Sequence, residues 1–133
     1  MSDAPKTKIL IIDDDSFLLD MYALKFSQSG YVVDTAMGSV PGLEKIRAGA
    51  SPDVMLIDIV MPVMDGFEFI EKLTAEKLVQ SAIKIILSNR GQQSDLDRGK
   101  TLGVDGYIVK ANATPSEVVE KVGEIMQNRR TGK

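Results

Sequence analysis

Short apolar blocks alternate along the chain with longer amphipathic stretches. Lys8-Ile9-Leu10-Ile11-Ile12 is β-branched and apolar and stops at Asp13-Asp14-Asp15, which predicts a first strand. From Ser16 to Ser29 the period changes. Leu19, Tyr22, Ala23 and Phe26 recur at helical spacing, and Gly30 stands where a helix would end. Residues 31–36 predict a second strand, more polar and so placed at a sheet edge. Residues 39–48 predict a second helix, with Pro41 near its start and Gly49 after its end. Residues 54–58 form an apolar run ending in Asp58, a buried third strand, and the loop Ile59-Val60-Met61-Pro62-Val63-Met64-Asp65-Gly66 follows.

Asp65 and Glu68 have the spacing of a capping box, and Phe67, Ile70 and Leu73 mark the buried face of a third helix. Residues 83–88 predict strand four. Residues 92–102 predict a helix with only Leu96 and Leu102 large and apolar, hence weakly held. Residues 105–110 predict strand five. Thr114-Pro115-Ser116-Glu117 caps a last helix lined by Val118, Val122 and Ile125, with Arg129 and Arg130 suiting its negative end. Five strands alternating with five helices imply an α/β fold: a parallel sheet with helices on both faces.

Composition narrows the chemistry. With 133 residues the chain suits one domain. It has no cysteine and no histidine, which excludes disulfides, thiolate metal sites and imidazole catalysis. The net charge of -3 speaks against direct nucleic-acid binding. The apolar runs are far shorter than the roughly 20 residues of a membrane helix. Residues 1–7 are polar, unlike a signal peptide, and are expected to fray. A cytoplasmic address is the expectation.

Four polar features follow the strands: Asp13 and Asp14 after strand one, Asp58 at the end of strand three, Ser88 after strand four and Lys110 after strand five. Parallel strands would bring all of them to one edge, where open α/β sheets bind ligands. Clustered carboxylates repel unless a cation joins them, and an all-oxygen set suits Mg²⁺. Lys110 and the Ser88 hydroxyl add a positive charge and a donor, as a phosphoryl group on a carboxylate would require.

On the acidic pair Asp13-Asp14, the stretch from Asp58 to Gly66, Ser88 and Lys110, the chain resembles the response-regulator receiver domains of bacterial two-component signalling. The resemblance covers residues 8–128 and leaves 129–133 as a basic tail. It implies a flavodoxin-like (βα)5 three-layer sandwich with strand order 2-1-3-4-5. It implies Asp58 as phosphoacceptor and Mg²⁺, with Mn²⁺ as a substitute, on Asp14, Asp58, the Val60 carbonyl and, through water, Asp13. Ser88 and Lys110 would contact the phosphoryl oxygens, and Ser88 and Tyr107 would form the switch. The donor would be a histidine kinase or a histidine phosphotransfer protein. A downstream protein would bind the face made by the helix from Gln92, strand five and the last helix. The chain would be a monomer or a weak phosphorylation-dependent dimer, with no chemistry beyond its own phosphorylation and dephosphorylation.

The chain departs from the family pattern at Asn89, where a small residue is common, and at Ala111, where proline is usual. The Lys110–Ala111 bond is accordingly expected to be trans. In that family the side chains two after the phosphoacceptor and two after the serine flank the approach of water, so the resemblance puts Val60 and Arg90 there. Both argue for shielding and a long-lived phosphoryl group, with Arg90 binding the phosphoryl oxygens as the alternative.

Two other readings compete. A Mg²⁺-dependent phosphatase with an aspartate nucleophile would carry Asp-x-Asp-x-Thr after strand one, and Asp13-Asp14-Asp15-Ser16-Phe17 lacks the threonine. A degenerate receiver acting as a scaffold would not need the full acid, serine and lysine set.

Overall fold

Strand β3 (Val54–Ile57) lies at the centre of the fold, and all four of its residues are buried. The computed structural model describes residues 6–130, so most of the segment expected to fray and the end of the basic tail lie outside the described residues. In chain order the elements are β1 (Lys8–Asp13), α1 (Ser16–Gln28), β2 (Val32–Met37), α2 (Ser39–Arg47), β3, α3 (Gly66–Ala75), β4 (Ile83–Ser88), α4 (Gln93–Thr101), β5 (Gly106–Val109), a 3₁₀ turn (Lys110–Asn112) and α5 (Pro115–Arg130). The five strands are parallel in the order β2-β1-β3-β4-β5. The order implied by the resemblance is therefore the one observed, and β2 lies at an edge as its polarity suggests.

Strand residues alternate between the two faces, which divides the core into two layers. One face carries Leu10, Ile12, Met55, Ile57 and Ile86 against Leu43 and Ile46 of α2 and Phe67, Phe69, Ile70 and Leu73 of α3. The other carries Ile9, Ile11, Leu56, Ile85 and Ile108 against Leu19, Tyr22 and Phe26 of α1 and Val118, Val122 and Met126 of α5. Phe69 and Met126 complete faces for which the periodicity named only their neighbours.

Element boundaries differ by a residue or two from the sequence expectation, for local reasons. Asp13 belongs to β1 because it pairs with Met37 of β2. Tyr31 precedes β2; its ring meets Phe26 edge-on at 5.0 Å instead of pairing in the sheet. Asp58 and Lys110 stand just beyond their strands. Both expected capping boxes are present. Asp65 accepts from the Glu68 amide at 2.9 Å and Glu68 from the Asp65 amide at 3.0 Å. Thr114 and Glu117 do the same at the start of α5. The described residues contain no cis peptide, so the Lys110–Ala111 bond is trans. None of the described helices is long and apolar enough to cross a membrane.

Candidate functional site

The site forms where β1, β3, β4 and β5 end together. Asp13 terminates β1 and is 2% exposed, while its neighbour Asp14 faces solvent. Asp15 faces away to cap α1, accepting from the amides of Phe17 and Leu18. That division of labour explains three consecutive acids: two at the sheet edge and one at the helix start. Asp13 is fixed by the Asp15 amide, which donates to its Oδ1 at 2.9 Å.

Asp58 is 7% exposed and sits one residue past β3. Its amide donates to the Ile12 carbonyl, continuing the sheet for one more rung, and the Ile59 amide donates to its Oδ1 at 2.8 Å. Gly66 makes this placement possible. A Cβ there would lie 2.2 Å from the Asp58 carbonyl oxygen, so no larger residue fits while the backbone holds this path.

The carboxylates of Asp13, Asp14 and Asp58 each offer an oxygen within 4.8 Å of the others. Every donor in this group is oxygen, which is the chemistry of a hard divalent cation. Lys110 leans over from the turn after β5. Its Nζ donates to Asp13 Oδ2 at 2.8 Å and lies 3.5 Å from Asp58 Oδ2. Ser88 ends β4 and is 1% exposed. The Asp13, Asp14, Asp58, Ser88 and Lys110 expected at one edge are thus at one edge. Val60, two residues past Asp58, is 60% exposed.

Electrostatics at the site follow from burial. Desolvation pushes the Asp58 carboxyl above its ordinary range, the Lys110 charge opposes this, Asp13 adds to it, and hydrogen bonds from Ser88 and Ile59 oppose it. Burial alone would lower Lys110, but Asp13 and Asp58 outweigh it and hold the ammonium above its usual value. The site therefore combines a reluctant anion with a firmly protonated cation.

Tyr107 and Arg90 were less legible. Tyr107 is half-buried on β5, and its hydroxyl donates to the Arg90 carbonyl. Arg90, expected beside the approach to Asp58, has its guanidinium engaged by α4. Its Nη2 is 2.7 Å from Asp95 Oδ1, and its guanidinium carbon is 5.9 Å from the Phe67 ring centre. Asp95, 6% exposed, escaped the sequence reading. Its only signal was an acid three residues after Gln92 at a helix start, which reads first as a cap.

The model of the response regulator receiver domain family matches residues 9–123. The chain is 32% identical over 123 residues to the chemotaxis protein CheY of Treponema pallidum, spanning 90% of this chain and 83% of that protein. It is 28% identical over 118 residues to the DNA-binding dual master transcriptional regulator RpaA of Synechocystis, spanning 89% of this chain and 47% of that protein. It thus spans about half the length of several curated relatives that it matches. Among solved structures, a CheY-like response regulator receiver domain protein from Methanospirillum hungatei superposes with a TM-score of 0.85 at 28% identity, over 97% of this chain and all of that one. With this sheet order, this edge cluster and these matches, the chain belongs to the response-regulator receiver domain family.

Proposed function

We propose that Asp58 accepts a phosphoryl group from a phosphohistidine of a histidine kinase or histidine phosphotransfer protein. The observation that carries this is the meeting of three carboxylates with an ammonium ion that reaches two of them. These 133 residues hold no histidine, so the phosphohistidine lies outside them. An Asp58 oxygen forms the new bond to phosphorus as the P–N bond breaks and the imidazole nitrogen keeps its electron pair. Lys110 neutralises the transferred oxygens from one side, and Ser88 offers its hydroxyl from the end of β4.

Asp13, Asp14, Asp58 and the Val60 carbonyl would hold Mg²⁺, which supplies charge neutralisation of the phosphoryl oxygens. The all-oxygen donor set fits that ion or Mn²⁺. Phosphorylation then changes which partner the face of α4, β5 and α5 binds, in the cytoplasm and without direct contact to nucleic acid. The chain acts as a monomer, or as a weak dimer when phosphorylated.

Incubation with acetyl phosphate and Mg²⁺, followed by intact-mass measurement, tests the assignment. The parent should gain one phosphoryl mass and Asp58→Asn none. Full labelling of Asp58→Asn overturns it. Rapid turnover without a stable adduct favours the phosphatase reading, and no reaction favours the scaffold.

A further inference from the structure

Helix α4 is held differently from its neighbours. It buries only Asp95 and Gly99, whereas α3 buries Phe67, Phe69, Ile70 and Leu73 besides Gly66. Gly99 contributes closeness rather than grip, since a Cβ there would already touch the Tyr107 ring at 3.3 Å. The firm attachment of the first turn is polar. The buried Asp95 carboxylate accepts from Arg90 Nη2 at 2.7 Å and from the Gln92 amide at 3.2 Å.

Arg90 is held at three points. Its amide donates to Ser88 Oγ at 3.3 Å, its carbonyl accepts from the Tyr107 hydroxyl, and its guanidinium is on Asp95. The next residue, Gly91, lies so close to β5 that a Cβ would meet Val109 Cγ2 at 2.8 Å. Arg98, one turn into α4, lies 4.6 Å from the ring centre of the same Phe67 that Arg90 approaches. The loop between β4 and α4 therefore has little room to move without taking Tyr107 and α4 with it.

We propose that Arg90 and Asp95 are positioning residues, forming an ion-pair latch that couples Ser88 to the first turn of α4. When Ser88 is drawn toward a phosphoryl group on Asp58, the Arg90 backbone follows. The latch delivers that displacement to the first turn of α4. This inference rests on the phosphoacceptor reading of Asp58. The resting half of it, that the latch holds α4 in place, stands on geometry alone. A buried carboxylate stripped of its partner is left uncompensated, so the pair resists separation.

Amide hydrogen exchange, with and without Mg²⁺ and beryllofluoride as the phosphoryl mimic, tests it on Arg90→Gln, Asp95→Asn and Arg90→Lys. Without the mimic, Arg90→Gln and Asp95→Asn should exchange the α4 amides roughly tenfold faster than the parent, or more, because a charged hydrogen bond is lost. With the mimic, the parent should change its exchange in α4. The first two variants should lose at least about half of that change while keeping the change around Asp58, and Arg90→Lys should restore it. Arg90 is about half exposed, so Arg90→Gln folds even if Asp95→Asn does not. Parent-like exchange and a full α4 response in Arg90→Gln overturn the latch. A parent that neither labels nor responds overturns the reading of Asp58 instead, and the resting exchange of Arg90→Gln still decides whether the pair holds α4.

Discussion

Asp58 must ionise in a place that penalises charge. Burial raises its pKa, with Lys110 only partly offsetting that. A carboxyl whose folded pKa lies above its unfolded one binds its proton more tightly when folded. Its contribution to stability is thus present at low pH and lost as pH rises through the folded value. In metal-free protein, Asp58→Asn should therefore melt higher than the parent at neutral pH, with the gap closing as pH falls toward the ordinary carboxylate range. In a chain of this length about 1 kcal/mol is worth roughly 4 °C. Paired melting curves across that range check it, and a gap that widens in acid contradicts it. A second residue carries a cost of another kind. Val63 is 91% exposed at φ 72, a left-handed conformation that a β-branched residue adopts only under constraint. Val63→Asn should stabilise the fold by about 1 kcal/mol, read as a higher urea midpoint at unchanged slope. At this scale the sequence made Asp58, Ser88 and Lys110 legible, because each stands at or just past the end of an apolar strand. The partner of Arg90 was not legible, because an arginine reaches across several positions and only packing selects among them.

The helices differ in what anchors them. Leu73 of α3 is fully buried, while Leu96 of α4 is half-buried. Leu73→Ala should cost about 2–5 kcal/mol and Leu96→Ala well under half of that, measured by chemical denaturation. Equal losses would mean that α4 is held by its apolar face after all. The weakness of α4 was readable from its two large apolar residues, and both capping boxes from residues three apart. Those are local features, decided by neighbours in the chain. The polar anchor of α4 was not readable, since a carboxylate at a helix start has the same sequence signal whether it is solvated or buried.

Over the whole molecule, a divalent cation shared by Asp13, Asp14 and Asp58 would bind the folded state alone, because the unfolded chain does not bring β1 and β3 together. Saturating Mg²⁺ at about a hundred times its dissociation constant should add about 2.7 kcal/mol to stability. Asp14→Ala should fold and lose that increment, as melting curves with and without MgCl₂ would show; an undiminished shift removes Asp14 from the metal site. The succession of strands and helices along the chain, the edge position of β2 and the carboxylates at strand ends follow from periodicity and chain polarity, which the sequence by itself determined. The pairing within the site was decided only by the tertiary structure. Lys110 takes Asp13 at 2.8 Å and Asp58 at 3.5 Å, and Arg90 turns to Asp95. Contacts such as Lys110–Asp13, 97 residues apart, depend on how five strands register and how helices settle against them. No local pattern encodes that, because the free energy choosing among such partners arises only when the sheet has formed.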